Sequence, residues 1–557
     1  MYVGLDMGGT HTDTVLIKDG KVIRHSKTPT NNEDFLSTIS EALENILYDI
    51  NPTEIERINL STTVCTNAIV TGKTDPVGML IEPGPGVNVK EFECGAKNFI
   101  LAGAIDHRGR PTGQLKPSQI KAADKELQRA GIKHLAIVSK FSTRNPEHEL
   151  KIKETLSPSY DFITLGHRIS GQLNFPRRIY TAYYNSAVSS TYKFFANAIS
   201  TYMNKKHLNL SPHILKADGG TISLDASIEL PVETILAGPS ASIMGALALA
   251  QTSEDTIILD IGGTTTDIAF LVDGVPLFVP KGINIEGYPT LVRALYSHSL
   301  GVGGDSYLKI DKGRLIIGPE RLGKAKALGG PTVTPTDALI TLGDIDLGDK
   351  KLAKEGITQL GFYYGLNTKE MAKKIIDDMT SAIVKRTKTI LNQINSRPVY
   401  TVREMIEDRK ITPHKVIVIG APAKALAHYL EASFGLPVIV PSFSEVANAI
   451  GTALSQPTTE LTLIADTEQG TLIVPEEGIR EKIPPNFSLS EARQRALELL
   501  EYRIKSLNPD TNTPELEVIE EQSFNMVSGF FTTGKNIRVK VQVKPQVNPL
   551  KRGDKNV

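Results

Sequence analysis

Asp6-Met-Gly-Gly-Thr-His-Thr-Asp13 returns almost unchanged as Asp260-Ile-Gly-Gly-Thr-Thr-Thr-Asp267. Both copies spell D-x-G-G-T-x-T-D. An apolar run precedes each, YVGL at 2–5 and TIIL at 256–259, and another follows, TVLI at 14–17 and IAFLV at 268–272. Each unit therefore reads as strand, glycine turn, strand. Asp19-Gly20 and Asp273-Gly274 then supply the turn pair expected of a type I′ hairpin. Consecutive glycines, Gly8 and Gly9 in one copy and Gly262 and Gly263 in the other, let a backbone come close to a polyphosphate and present N–H groups to it. The hydroxyls of Thr10, Thr12, Thr264 and Thr265 add donors, and Asp13 and Asp267 close the pattern. Asp6 and Asp260, at strand ends, are candidate catalytic and metal residues: a carboxylate there holds Mg²⁺, directly or through water, or orients an attacking water. Facing one another, the two hairpins would clamp the β- and γ-phosphates of one nucleotide. A single copy reads equally well as a tight turn; the repeat with its flanking strands favours a ligand. Gly219-Gly220-Thr221 lacks the second aspartate and reads as a structural turn.

The rest of the 557 residues bounds the class. Lys plus Arg and Asp plus Glu both number 62, so no net charge draws the chain to nucleic acid or to an anionic membrane. Two cysteines exclude a disulfide framework and a cysteine zinc site. No apolar run is long enough to span a bilayer, the N-terminus has no leader-like pattern, and a cytoplasmic location is expected. Apolar spacing predicts helices over 33–49, 117–130, 178–204 (one long helix), 368–395 and 488–506. It predicts a buried strand at 135–139, a strand-dominated stretch over 214–318, strand-turn-helix over 415–434, and strands over 515–543. The expected divisions are 1–175, 176–457 and a small α+β region 458–545, with a disordered tail 546–557.

The duplicated hairpin resembles the α/β fold shared by actin, sugar kinases and the heat-shock ATPases, a ribonuclease H-like lobe occurring twice around a nucleotide cleft. Further stretches narrow the resemblance. STTVCTNAIVTGK, PRRIYTAYYNSAV, LKADGGTISLDASIELPVETILAGPSASIMGALALA, GVGGDSYLKIDKGRLIIGP, GGPTVTPTDALITLG and SEVANAIGTALS follow one another as in the hydantoinase A / oxoprolinase family, over most of residues 1–455. The resemblance implies ATP and Mg²⁺ as cofactors, a small-molecule substrate with a cyclic amide or related carbonyl, and a separate hydantoinase B-like subunit. A homo-oligomer is compatible with it. It further implies that Gly420 and Ala421, in the strand-to-helix turn of VIGAPAKAL, border the adenosine, and that Gly303, Gly304 and Asp305 lie in a nucleotide loop. Residues 445–455, rich in small side chains, resemble the connecting helix between the lobes. Family members usually carry Phe at His11 and glycine at Asp305; either these two positions bear on the metal or substrate, with His11 as the nearest polar neighbour of Asp305, or Asp305 caps the following segment and His11 packs against a strand.

Other motifs carry less. Gly318 to Ala325 nearly spells a phosphate loop but lacks the hydroxyl after Lys324, and is read as a surface loop. His298, just before the glycine loop, is the candidate general acid or base, and Asp106-His107-Arg108 a second polar loop. The leading expectation is an ATP-dependent hydrolase that phosphorylates a carbonyl oxygen. The alternatives are a small-molecule kinase of the same fold and a nucleotide-dependent scaffold or activator.

Overall fold

In a computed structural model, residues 1–279, 281–396, 410–507 and 515–551 are described. The first motif is a hairpin of strands Tyr2–Met7 and His11–Lys18, in register with Asp6 opposite Asp13. The second is a hairpin of Thr256–Ile261 and Thr266–Val272, with Asp260 opposite Asp267. Both turns close with the same backbone bond, Gly8 N to His11 O at 3.0 Å and Gly262 N to Thr265 O at 2.9 Å. Asp19 and Gly20, and likewise Asp273 and Gly274, all take positive φ, as a type I′ turn requires.

Each hairpin seeds a mixed sheet. In the first, Lys21–Pro29 pairs antiparallel beyond the hairpin, while Arg57–Thr62 and then His213–Leu215 add in parallel on the other side. In the second, Ser297–Leu300 takes the outer antiparallel place, and Lys415–Ile419 and Val438–Ile439 the parallel ones. The parallel strands read as continuous apolar runs because both faces are covered. Phe35–Leu47 and Ser189–Lys205 pack on the first sheet; Thr368–Asn395 and Ala423–Phe434 cover the second. A four-stranded parallel sheet (Phe162–Leu165, His134–Ser139, Val77–Glu82, Lys97–Ile100) forms a separate layer. A five-stranded antiparallel sheet of residues from Glu460 to Val543, packed by Leu489–Leu507, has its own core around Leu463, Val539 and Leu500.

Two short-sided helices join the hairpin sheets. Ala237–Ala250 crosses Ala447–Leu454 so closely that a Cβ at Gly451 would lie 2.3 Å from Ala241 O, and one at Gly245 2.1 Å from Ala447 O. The small residues of the connecting segment are there for that approach. Asn59, buried in the first sheet, donates through its side-chain amide to Thr452 O, Ala453 O and Ser455 O at 2.8–3.1 Å, satisfying the end of the helix.

Several expectations are corrected. The single helix over 178–204 is two, Phe175–Ala187 and Ser189–Lys205, broken at Val188. The stretch 214–318 contains the 14-residue helix Ala237–Ala250, whose all-round apolar surface hid its period because both of its sides are buried. A division at 175/176 cuts the first turn of a helix, and His213–Leu215 still belongs to the first sheet. Residues 546–551 are not a loose tail: Val547 bridges Ser455, Leu550 N donates to Ala248 O at 3.3 Å and Lys551 N to Gly20 O at 2.8 Å. Residues 552–557 lie outside the described residues. Among the described residues no helix is long and apolar enough to cross a membrane.

Candidate active site between two glycine hairpins

Asp6 and Asp260 stand at the matching strand ends, and their charges reach each other. Burial first, then Asp13 and Asp260, push the Asp6 carboxyl up to about 6. Burial likewise raises Asp260, against donors from Ser242 and Asn448. The Ser242 hydroxyl donates to Asp260 Oδ2 at 2.5 Å, and Asn448 Nδ2 lies 3.4 Å from the same oxygen. Asn448 also supports Asp6, so one amide on the connecting helix serves both carboxylates. Asp6 is only 7% exposed, yet its Oδ1 has no hydrogen-bond partner. Asp267 is raised to about 6 by burial and then by Asp260. Asp13 is raised by burial, although Lys27 Nζ lies 2.9 Å from it.

Four carboxylates in one neighbourhood, one of them with an orphaned oxygen, call for a cation. Among the described residues, no three His, Cys, Asp or Glu side chains form a metal centre on their own. Mg²⁺ takes one or two carboxylates and completes its octahedron with phosphate oxygens and water, and the unpartnered Asp6 oxygen fits such a ligand.

The turns supply the rest. Gly9, Thr10 and His11 are exposed and Gly8 half-buried, with Asn32 Nδ2 on Gly9 O at 3.1 Å and Asn67 beside Gly9. Gly263 is exposed, and Gly262, Thr264 and Thr265 are half-buried. Thr12, expected as a phosphate donor, is fully buried and pairs with Thr30 Oγ1 at 2.9 Å; strand alternation turns it inward, as it does Thr266. Gly420 has φ 96° and gives its N–H to Ser444 O, and a Cβ there would meet Ile261 O at 2.3 Å. The Gly420-Ala421 turn thus abuts the strand end that carries Asp260.

Gly303 and Gly304 do not offer their amides to a ligand. Gly303 N donates to Ser306 Oγ at 2.8 Å, Gly304 N to Gly262 O at 3.0 Å and Asp305 N to Gly263 O at 2.6 Å. The loop props the second hairpin from behind. Asp305 pairs not with His11 but with Arg321, Oδ2 to Nη2 at 2.8 Å, and His11 meets Thr10 Oγ1 at 3.2 Å. His298 is corrected from loop to strand: it lies in Ser297–Leu300, opposite Ile268, with Nε2 3.0 Å from the Tyr296 hydroxyl. Its strand runs alongside the second hairpin, with Leu300, two residues on, opposite Thr266. Arg108 ties its loop to the C-terminal sheet through Asp466 and Glu468 at 3.2 and 2.9 Å. Four supporting residues escaped the sequence reading: Asn448 is 188 residues from Asp260 in the chain, and Ser242, Lys27 and Arg321, 14 to 18 residues from their carboxylates, sit on other elements outside the repeated motif.

A cavity of about 810 Å³ lies elsewhere, beside Lys216, Asp218, Glu233 and Arg293. These charges neutralise one another, with Lys216 Nζ 3.3 Å from Asp218 and 3.4 Å from Glu233. Helix Ala237–Ala250 separates the cavity from the carboxylates: its Ser240 faces Ala217 O while its Ser242 faces Asp260. The glycine turn at Gly219-Gly220 packs on Thr458 there and is structural.

The hydantoinase/oxoprolinase pattern matches residues 178–461, and the N-terminal region of the same family matches residues 2–159. The chain belongs to the hydantoinase/oxoprolinase family. Relatives within and around this family include the caprolactamase subunit alpha of Pseudomonas jessenii, 24% identical over 81% of this chain and 70% of that one. The 5-oxoprolinase of Saccharomyces cerevisiae is 24% identical over 77% of this chain, which spans 33% of that protein's length. In structure, nucleotide-free acetone carboxylase superposes on all of this chain and 89% of its own with a TM-score of 0.72 at 15% identity, which shows a shared fold. In this hydantoinase/oxoprolinase member the family patterns span both hairpin sheets and end where the C-terminal sheet begins, at strand Glu460–Asp466.

Proposed function

We propose that this protein is an ATP-dependent hydrolase of cyclic amides or related carbonyl compounds, built on duplicated actin-like lobes. The observation that carries the reading is the juxtaposition of Asp6 and Asp260, two identically registered strand-end carboxylates sharing Asn448. The amides of Gly8, Gly9, Gly262 and Gly263 with the hydroxyls of Thr10, Thr264 and Thr265 bind the β- and γ-phosphates. Asp6 and Asp260 hold Mg²⁺, which supplies charge neutralisation on the phosphates. Gly420 and Ala421 border the nucleoside.

The substrate carbonyl oxygen attacks the γ-phosphorus, its new O–P bond replacing the bond to the departing ADP. Water then adds to the activated carbon and loses a proton, and the ring C–N bond breaks as nitrogen takes one. A second water releases phosphate. The protein's contribution is positioning and electrostatics. Residue by residue, Ser242 and Asn448 keep the Asp260 carboxylate aimed at the turn, and Lys27 offsets Asp13. A second polypeptide of hydantoinase B type is the proposed partner, in keeping with relatives that are themselves subunits.

ADP release across lactams, hydantoins, ketones and polyols, with and without a hydantoinase B-like polypeptide, tests the reading. Turnover that requires a lactam or hydantoin and yields the ring-opened acid supports it. A stable phosphorylated polyol overturns it in favour of a kinase.

A further inference from the structure

The segment from Gly318 to Lys324, a surface loop by its sequence, is pinned onto the second hairpin's supporting loop. Tyr307 N donates to Glu320 O at 2.8 Å and Gly318 N to Tyr307 O at 2.9 Å. Arg321 is held at both ends of its guanidinium: Nη2 donates to Asp305 Oδ2 at 2.8 Å and Nε to Gly323 O at 3.2 Å. Asp305 is itself fixed on the phosphate turn. Its N–H bonds Gly263 O, its Oδ1 lies 3.4 Å from Thr336 Oγ1, and a Cβ on Gly263 would stand 3.0 Å from its Oδ2. A carboxylate placed directly against a polyphosphate loop repels the ligand unless a cation covers it, and Arg321 is that cover. Its Nη1 bonds no described residue. On the other side of the cleft, the imidazole of His11 is held below its ordinary range by burial first, then by the charge of Lys27, and by Arg321 and Lys324. Both cations of the segment are thus within electrostatic reach of the first hairpin. The hairpins bring four carboxylates to the site, and the lysine against them, Lys27 of the neighbouring strand Lys21–Pro29, has its ammonium committed to Asp13. A nucleoside triphosphate needs more positive charge than that.

We propose that Arg321, anchored by Asp305 to the second phosphate turn, is an anion-binding residue that contacts the terminal phosphoryl group of the bound nucleoside triphosphate, with Lys324 as the second cation beside it. The inference rests on the nucleotide reading above and adds to it the group that senses the γ-phosphate. Guanidinium suits the task because its fork donates two parallel bonds to phosphoryl oxygens while the remaining N–H groups keep their protein partners. Asp305 is then a positioning residue.

Calorimetric titration of the full chain with Mg·AMPPNP and with Mg·ADP separates the outcomes. Arg321→Ala is expected to weaken Mg·AMPPNP about 10- to 100-fold, the span of a lost charge-assisted hydrogen bond, and to leave Mg·ADP within about threefold. Arg321→Lys keeps part of the preference for the triphosphate. Asp305→Asn lowers that preference with Arg321 still present. Adding inorganic phosphate to the ADP complex should show a second binding event in the wild type that Arg321→Ala loses. Equal weakening of both nucleotides, or no weakening of either, overturns the inference while leaving the nucleotide reading intact. A wild-type chain that binds neither nucleotide overturns both. If Arg321→Ala does not fold, Arg321→Gln and Asp305→Asn report the same ratio.

Discussion

The two hairpins share a pattern, a register and a turn-closing bond, yet they are mounted differently. The first is more open: Lys27 pairs with Asp13, and its turn has Asn32 and Asn67 beside Gly9 and one backbone bond, Thr30 N to Thr10 O at 3.0 Å. The second is braced on every side. Ser242 and Asn448 fix Asp260, the loop 301–306 bonds Gly262 and Gly263 through the backbone, and Asp305 carries Arg321. Matching sequence therefore fixes the local hairpin, and the surroundings decide which copy is preorganised. The difference predicts slow amide exchange in the second turn without ligand, and slowing in the first only when Mg·AMPPNP is added.

Removing one carboxylate at a time tests it hardest. Asp260→Ala should lower ADP formation by about 10²- to 10³-fold, as loss of one preorganised charge group does, with Asp6→Ala less severe because Asp260 is held by the short Ser242 bond while Asp6 Oδ1 has no partner. Steady-state kinetics on both variants decides; a larger loss at Asp6 would reverse the assignment. Asp260 is also half-buried and bonded, so its loss should lower Tm as well.

Next in size is the pH response. Asp6, with its carboxyl raised to about 6, stays protonated in the folded chain over a range where the unfolded chain has already ionised. Folding stability then falls as pH climbs from the ordinary carboxylate range through about 6, by roughly 2–3 kcal/mol for a fully buried group. Mg²⁺ favours the ionised form and should recover that loss. Melting curves should therefore show a larger Mg²⁺-induced rise in Tm near pH 7.5 than near pH 5; an equal rise at both would remove the cation from these carboxylates.

The smallest effect sets the turns against each other. A methyl group on Gly263 meets Asp305 at 3.0 Å, whereas on Gly9 it clears Asn67 by 3.6 Å. Gly263→Ala should weaken Mg·AMPPNP about tenfold, roughly one displaced charged contact, and Gly9→Ala by less than about threefold. Titration of the two variants ranks them.

Local pattern made the hairpins, the 3.6-residue helices and the strand-rich C-terminal region legible, since each is a short-range consequence of apolar spacing and turn chemistry. Thr12 was misassigned because the motif lists residue types without saying which alternate side of the strand each occupies. Helix Ala237–Ala250 stayed hidden because a helix buried on all sides has no polar face to mark its period. The loop 301–306 looked like a nucleotide loop because glycines that approach another backbone and glycines that approach a phosphate are the same letters. Arg321 was invisible for a different reason: its meaning comes from Asp305, and no spacing rule links an arginine to a carboxylate across an intervening hairpin.

Asn59 grips one end of the short helix Ala447–Leu454, and Asn448 near its other end lies 3.4 Å from the Asp260 carboxylate. Eight residues of helix measure about 12 Å, so a rotation of about 10° about the gripped end would carry Asn448 through about 2 Å. The helix is thus geared as a lever with its fulcrum in the first sheet. Any closing of one sheet on the other would be transmitted to the Asn448–Asp260 contact, a displacement large enough to make or break it.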